Sequence, residues 1–161
     1  MTSTRRQTEI IAERDVPAVR IVREFDAPPE RVFQAHVDPD LFAQWIGPRS
    51  IETRITSWDA STGGHWRYEA IRDGDMVAGF YGSFHEVRPP GRIVQTFTWD
   101  GAPDGVSLET LTLEALPGLR CRLTARAVLE SFEARDDMLS SGMDVGVNEG
   151  YEKLDHLLAN S

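Results

Sequence analysis

Four histidines, three tyrosines and one cysteine are the side chains in this 161-residue sequence best suited to nucleophilic or proton-transfer chemistry. They fall into no catalytic spacing. His36, His65, His85 and His156 lie too far apart for a zinc set, and neither His-x-Glu-x-x-His nor Cys-x-x-Cys occurs. His85 stands between Phe84 and Glu86 in an alternating run, which aims it away from the aromatic face and toward the surface or rim. There is no Gly-x-Ser-x-Gly elbow, and Ser140-Ser141-Gly142 lacks the preceding strand that an elbow needs. No Walker-type loop or dinucleotide fingerprint is present; Gly63-Gly64 reads as a hairpin turn.

Cys121, flanked by Arg120 and Arg122, could carry a lowered thiol pKa. Its other reading is a small core-facing residue sharing a face with Leu123, Ala125 and Ala127. Tyr68 and Tyr81 are candidate acids without a visible partner. Arg67, Glu69, Glu109, Arg122 and Arg126 alternate with apolar neighbours, so they are expected on the outward face in ion pairs of little energetic weight. One of them turned inward would be desolvated, its pKa would shift, and proton transfer would gain support. No catalytic residue, metal or cofactor is assigned.

The elements that would position these groups are legible. "EIIAERDVPAVRIVREF" is a strand, or two pieces of one broken near Pro17, with Val19, Ile21 and Arg23 on one side. "DAPPERVFQAHVD" is a helix with Asp26 as a candidate cap and Pro28 and Pro29 in its first turn. "DPDLFAQWIGP" is a second, short helix capped by Asp38, its apolar side formed by Leu41, Phe42, Trp45 and Ile46. From Ser50 the period becomes two, giving six strand-like runs separated by turn-like Gly, Pro and Asp clusters, which implies an antiparallel meander. Helical spacing returns near Glu133 and continues through Met143, Val147, Tyr151, Leu154 and Leu158, with a soft spot at Gly142. The class is α+β: a tail over residues 1–7, then one domain over 8–160 in which helices cover one face of a curved sheet.

Composition bounds the function. With 26 acidic against 17 basic residues and a net charge of −9, the chain is poorly suited to replacing counterions on nucleic acid or docking on anionic lipid. A single cysteine excludes an internal disulfide. Nothing approaches ~18 consecutive apolar residues, and Arg5-Arg6 precedes no export-signal core, so a cytoplasmic location is expected.

Three segments, "REFDAPPERVFQAHVDPDLFAQWIGP", "GSFHEVRPPGRIVQTFTWDG" and "SGMDVGVNEGYEKLDHLLA", resemble in their order the START-like or SRPBCC superfamily. Within it they resemble the branch named for the activator of the 90-kDa heat-shock protein ATPase. Where members of that branch often have Trp-Trp this chain has Trp45-Ile46, and where many have Gly-Trp it has Gly146-Val147, each an exchange of an aromatic for a smaller residue. The resemblance implies a helix-grip fold, a sheet wrapped around the C-terminal helix with a pocket between them.

By residue type alone, a filled aromatic core and a pocket are both open. Trp66 and Tyr68, Phe80 and Phe84, and Phe97 and Trp99 alternate on three successive strands, opposite Met138, Met143, Val147 and Tyr151, with Trp45 at one end. Gly79, Gly82, Gly146 and Gly150 each cost about 0.5–1 kcal/mol relative to alanine. They could serve close helix–sheet approach or leave room for a ligand. With the resemblance added, these eleven residues are the expected pocket wall, and the expected function is carriage or sensing of a small apolar or aromatic molecule. A cyclase- or hydrolase-type enzyme acting on a polyketide-like or lipid-like substrate is the first alternative. A chaperone-ATPase-activator-like interaction module is the second; it ranks lower because the eukaryotic activators carry a further, larger N-terminal domain with no counterpart in these residues. Homodimerisation through an edge strand or the last helix is left open.

Overall fold

The computed structural model describes residues 7–160, so the expected tail, Gln7 apart, lies outside the described residues. The opening run is two strands, β1 (Glu9–Ala12) and β2 (Ala18–Phe25), paired from Glu9 opposite Val22 to Ala12 opposite Val19. Pro17, which has no N–H to give a ladder, ends the turn between them. Two helices follow, α1 (Pro29–Val37) and α2 (Pro39–Trp45). The meander then supplies β3 (Glu52–Trp58), β4 (His65–Arg72), β5 (Asp75–Arg88), β6 (Arg92–Trp99), β7 (Ser107–Leu116) and β8 (Arg120–Val128). All join one antiparallel sheet in the order β1-β2-β8-β7-β6-β5-β4-β3. Register shifts at Ile55/Ser57, Ala70/Ile71 and Phe84/Glu86 mark bulges, which raise local twist and help the sheet curve without closing. The fold is the α+β helix-grip arrangement.

The single C-terminal helix expected from spacing is two, α3 (Phe132–Ser140) and α4 (Met143–Ala159). The break falls at Gly142, whose φ of 88° is left-handed and open to glycine at little cost. Asp38 caps α2 as expected, its Oδ1 accepting from Asp40 N at 2.9 Å, while its own N–H closes α1 on the Gln34 carbonyl. Asp26 does not cap α1. Pro28 takes that position with no side-chain bond, and Asp26 instead accepts from Arg120 Nε at 3.0 Å. Two indoles serve the C-terminal carbonyls that α1 leaves unpaired: Trp45 Nε1 donates to Ala35 O at 2.9 Å and Trp58 Nε1 to Val37 O at 2.8 Å.

Three of the four glycines noted in the sequence serve close approach. A Cβ on Gly82 would sit 1.9 Å from Thr96 O, one on Gly79 would sit 2.3 Å from Asp100 Oδ2, and one on Gly150 would sit 3.0 Å from Trp45 O. Gly146 differs, because a Cβ there would meet only Pro48, at 3.5 Å or more.

The last helix is fastened by a charge. Arg23, on the inner face of β2 and 3 % exposed, donates from both terminal nitrogens to Asp155 at 2.7 Å each, with its guanidinium 4.7 Å over the Phe25 ring. Removing the carboxylate would strand a desolvated cation, a loss usually larger than the net worth of the pair. Asp155→Ala should therefore lower unfolding free energy by about 2 kcal/mol or more, whereas the paired change Arg23→Met/Asp155→Leu should cost clearly less. Urea denaturation of the three proteins measures both.

Candidate functional site

Between the sheet and the last two helices lies a cavity of about 660 Å³, in the usual size range of small-molecule sites. Its floor is an aromatic sheet surface. Trp66 lies 5.5 Å from Tyr68 and 5.7 Å from Phe97, and Phe80 lies 5.3 Å from Tyr68 and 5.4 Å from Phe97, between ring centroids. Register makes this contiguous: Tyr68 pairs with Phe80, and Trp66 faces Gly82, where any side chain would strike the indole. Phe84 continues the floor, and Met138, Met143, Gly146, Val147 and Tyr151 form the roof. Trp45 closes one end, 4 % exposed, stacked 6.0 Å from Tyr151 and edge-on to Phe42 at 5.4 Å. Arg72 and Val77, both exposed, stand where the cavity meets solvent.

Ten of the eleven residues expected in the wall line this space, and Trp99 does not. Trp99 pairs with Phe80 but ends its strand, 49 % exposed, with its indole lying over the Gly101 backbone.

The larger departure is Glu109. It was expected on the outer face with Arg67, Glu69, Arg122 and Arg126, which do form outer pairs with Asp100, Arg54, Glu114 and Glu13 respectively. Glu109 instead lines the cavity and accepts from Gln95 Nε2 at 3.1 Å, its register partner on β6. Period two gives the reason: Ser107, Glu109, Leu111 and Leu113 share the inner face, which leaves Leu108 outside and 48 % exposed. The parity of Leu111 and Leu113 carried this signal, and Gln95 shares parity with Phe97 in the same way. His36, one turn after Val32, also faces the cavity, unassigned in the sequence reading.

Burial governs the electrostatics here. It raises the Glu109 carboxyl to about 7, with the Gln95 hydrogen bond pulling partly back. The Tyr68 and Tyr151 phenols are pushed well above the usual tyrosine range, chiefly by burial and also by the Glu109 charge; Arg23 partly offsets this at Tyr151. His36 falls to about 4 through burial, against its 2.7 Å hydrogen bond with Val32 O, so the ring is neutral. Cys121, fully buried like Leu123, is raised to about 11 by burial, which outweighs the lowering pull of Arg120 and runs against an activated thiol. Its inner-face position is the one shared with Leu123, Ala125 and Ala127. His85 is exposed. Among the described residues no group of three His, Cys, Asp or Glu could hold a metal ion. The chamber is thus apolar, with one carboxyl poised near neutrality and two phenols that stay protonated.

A family model described as Activator of Hsp90 ATPase homolog 1-like protein matches residues 26–159. The chain belongs to this family. Solved structures agree in fold along almost the whole chain. A protein from Rhodobacter sphaeroides is 26 % identical with a TM-score of 0.87, covering 96 % of this chain and 100 % of its own. One from Arthrobacter aurescens is 28 % identical with a TM-score of 0.85, covering 95 % and 92 %, and the Mycobacterium smegmatis protein Ms6760 is 25 % identical with a TM-score of 0.84, covering 94 % and 96 %. No curated protein matches the sequence. The family's helix-grip fold typically binds ligands, and no helix among the described residues is long and apolar enough to cross a membrane.

A carboxyl raised from an ordinary 4.5 to about 7 on folding favours the protonated form of the folded chain. Glu109 therefore costs nothing below about pH 4.5, and its penalty grows to about 3 kcal/mol as pH rises through 7. His36 acts oppositely, its contribution being lost as pH falls from 6.5 toward 4. Glu109→Gln should thus exceed the parent in stability at pH 8 and lose that advantage at pH 5. Comparing the two proteins at each pH cancels the histidine.

Proposed function

We propose that this protein is a binding protein, a carrier or sensor of a small, largely apolar molecule seated between the sheet and the last helix. The carrying observation is the cavity of about 660 Å³ with an aromatic floor. The space meets solvent beside exposed Arg72 and Val77, so among the described residues nothing seals water out of it. The space is therefore filled by solvent or by a guest. Burying an apolar guest on Trp66, Tyr68, Phe80 and Phe97 releases that solvent at about 25 cal/mol per Å², before the entropy of association.

The inward turn of Glu109 beside protonated tyrosines favours a second reading, an enzyme moving a proton on a bound carbonyl compound. In it Glu109 is the base, and Tyr68 or Tyr151 donates a hydrogen bond to the developing oxyanion. Simple binding ranks first because the wall is mostly apolar.

A panel of fatty acids, polyketides and flavonoids, read by thermal shift and native mass spectrometry, tests the leading reading. At least one member, at a hundredfold excess over Kd, should raise Tm by about 5–10 °C. Val147→Trp, which fills the roof, should abolish that shift while leaving the circular dichroism spectrum unchanged. Absence of any shift in the parent would count against the proposal.

A further inference from the structure

We infer that the cavity takes an organic amine, an apolar or aromatic body bearing one protonated nitrogen that seats on the Glu109 carboxylate against the aromatic floor. The inference rests on the pocket reading above and specifies its ligand class.

Glu109 is the acidic side chain of the cavity wall, and the one hydrogen bond it accepts among the described residues, from Gln95, occupies a single oxygen. A wholly apolar guest would seal the other lone pairs away from water without a donor, at a cost of about a hydrogen bond or more. Wherever that carboxyl is ionised, a guest that donates is therefore favoured.

Three features favour a cationic donor over a neutral one. First, among the described residues no side chain neutralises the carboxylate. Gln95 on β6 is bonded to it, its charge is felt by Tyr68 on β4 and Tyr151 on α4, and the cavity's His36 on α1 is neutral. Arg23 on β2 is bound at both terminal nitrogens by Asp155. Arg126, which also touches the cavity, is held by Glu13 at 2.6 and 3.1 Å. Arg72 is exposed at the solvent edge. Second, the floor offers four aromatic rings, each 5.3–5.7 Å from two of the others, a surface that attracts an ammonium once water is displaced. Third, the roof helices carry exposed Glu133, Asp137 and Asp144 on a chain of net charge −9, a long-range field that favours cations over acids although Arg72 stands at the solvent edge.

Seating an ammonium requires the ionised carboxylate. With that carboxyl raised to about 7, the competent fraction grows roughly tenfold between pH 6 and pH 8. Amine affinity should rise by the same factor, while a neutral analogue of equal shape should bind with little change.

Tryptamine, tryptophol and indoleacetic acid share one ring and differ only in their ends, so they separate these terms by NMR shift titration of the full chain. At pH 8 tryptamine should bind about tenfold or more tighter than tryptophol, with the acid weakest, and at pH 6 the amine and alcohol should converge. Glu109→Gln should bind the two alike at both pH values, with shifts at the same cavity residues. Tryptophol binding as tightly as tryptamine at pH 8, or an amine preference surviving in Glu109→Gln, would overturn the inference and leave the pocket reading standing. If none of the three moves the resonances of the cavity wall, nor any of the apolar panel, both readings fall together.

Discussion

Contact along α4 is uneven, and the architecture follows from that unevenness. Toward its C-terminus Leu154 is completely buried and Leu158 nearly so, Tyr151 stands edge-on to Phe25 at 5.3 Å, and Asp155 holds Arg23 of the sheet. Toward its N-terminus Val145 is more than half exposed, and Met143 and Val147 look into open space. The fulcrum is Gly150, whose missing side chain lets the helix backbone come down on Trp45 and Gly47. A helix pinned at one end against a curved sheet must stand off at the other. The cavity is the volume that this geometry leaves, and α2, wedged at the fulcrum, is its end wall.

Within that volume a carboxyl is expensive. A leucine at position 109 would continue the face of Leu111 and Leu113 and would carry no desolvation penalty. Glu109 instead keeps a charge whose burial opposes ionisation, supported by one amide hydrogen bond. Arg23 is the contrasting case. It too is a buried ion on the inner face, but it is satisfied at both terminal nitrogens and helps join helix to sheet. One buried charge is spent on the fold, and the other is left facing the space. That difference in partners, not burial itself, separates a structural ion from a candidate recognition group.

The architecture was legible because its signals are local. Asp38-Pro39 opening α2, the switch to period two at Ser50 and the turn clusters between strands each state a backbone preference in a few residues. The split of the C-terminal helix was visible as Gly142 but not its consequence, since a glycine can be tolerated in mid-helix or can end one. The cap of α1 was misplaced because Asp26 had a competing partner in Arg120, ninety-four residues away, and no local pattern reports that. Glu109 was misplaced for a different reason. In "SLETLTL" the charge of Glu109 beside apolar Leu108 argues for an outward carboxylate, whereas strand parity, set by Leu111 and Leu113, fixes the face of every member.

Whether the aromatics form a core or a wall could not have been decided from their types, because both uses bury the same side chains. The glycines show why counting missing side chains does not decide it either. At Gly82 the vacant Cβ position is already occupied by the neighbouring strand and the Trp66 indole, and at Gly79 by the Asp100 carboxylate. Those absences tighten the sheet and create no room. At Gly146, on the stand-off half of α4, the same absence borders the cavity. A glycine makes space only where the backbones are already apart, and here their separation is set by where the helix is fastened. Volume is thus a property of the anchors, Gly150 and the Arg23–Asp155 pair, before it is a property of the residues that line it.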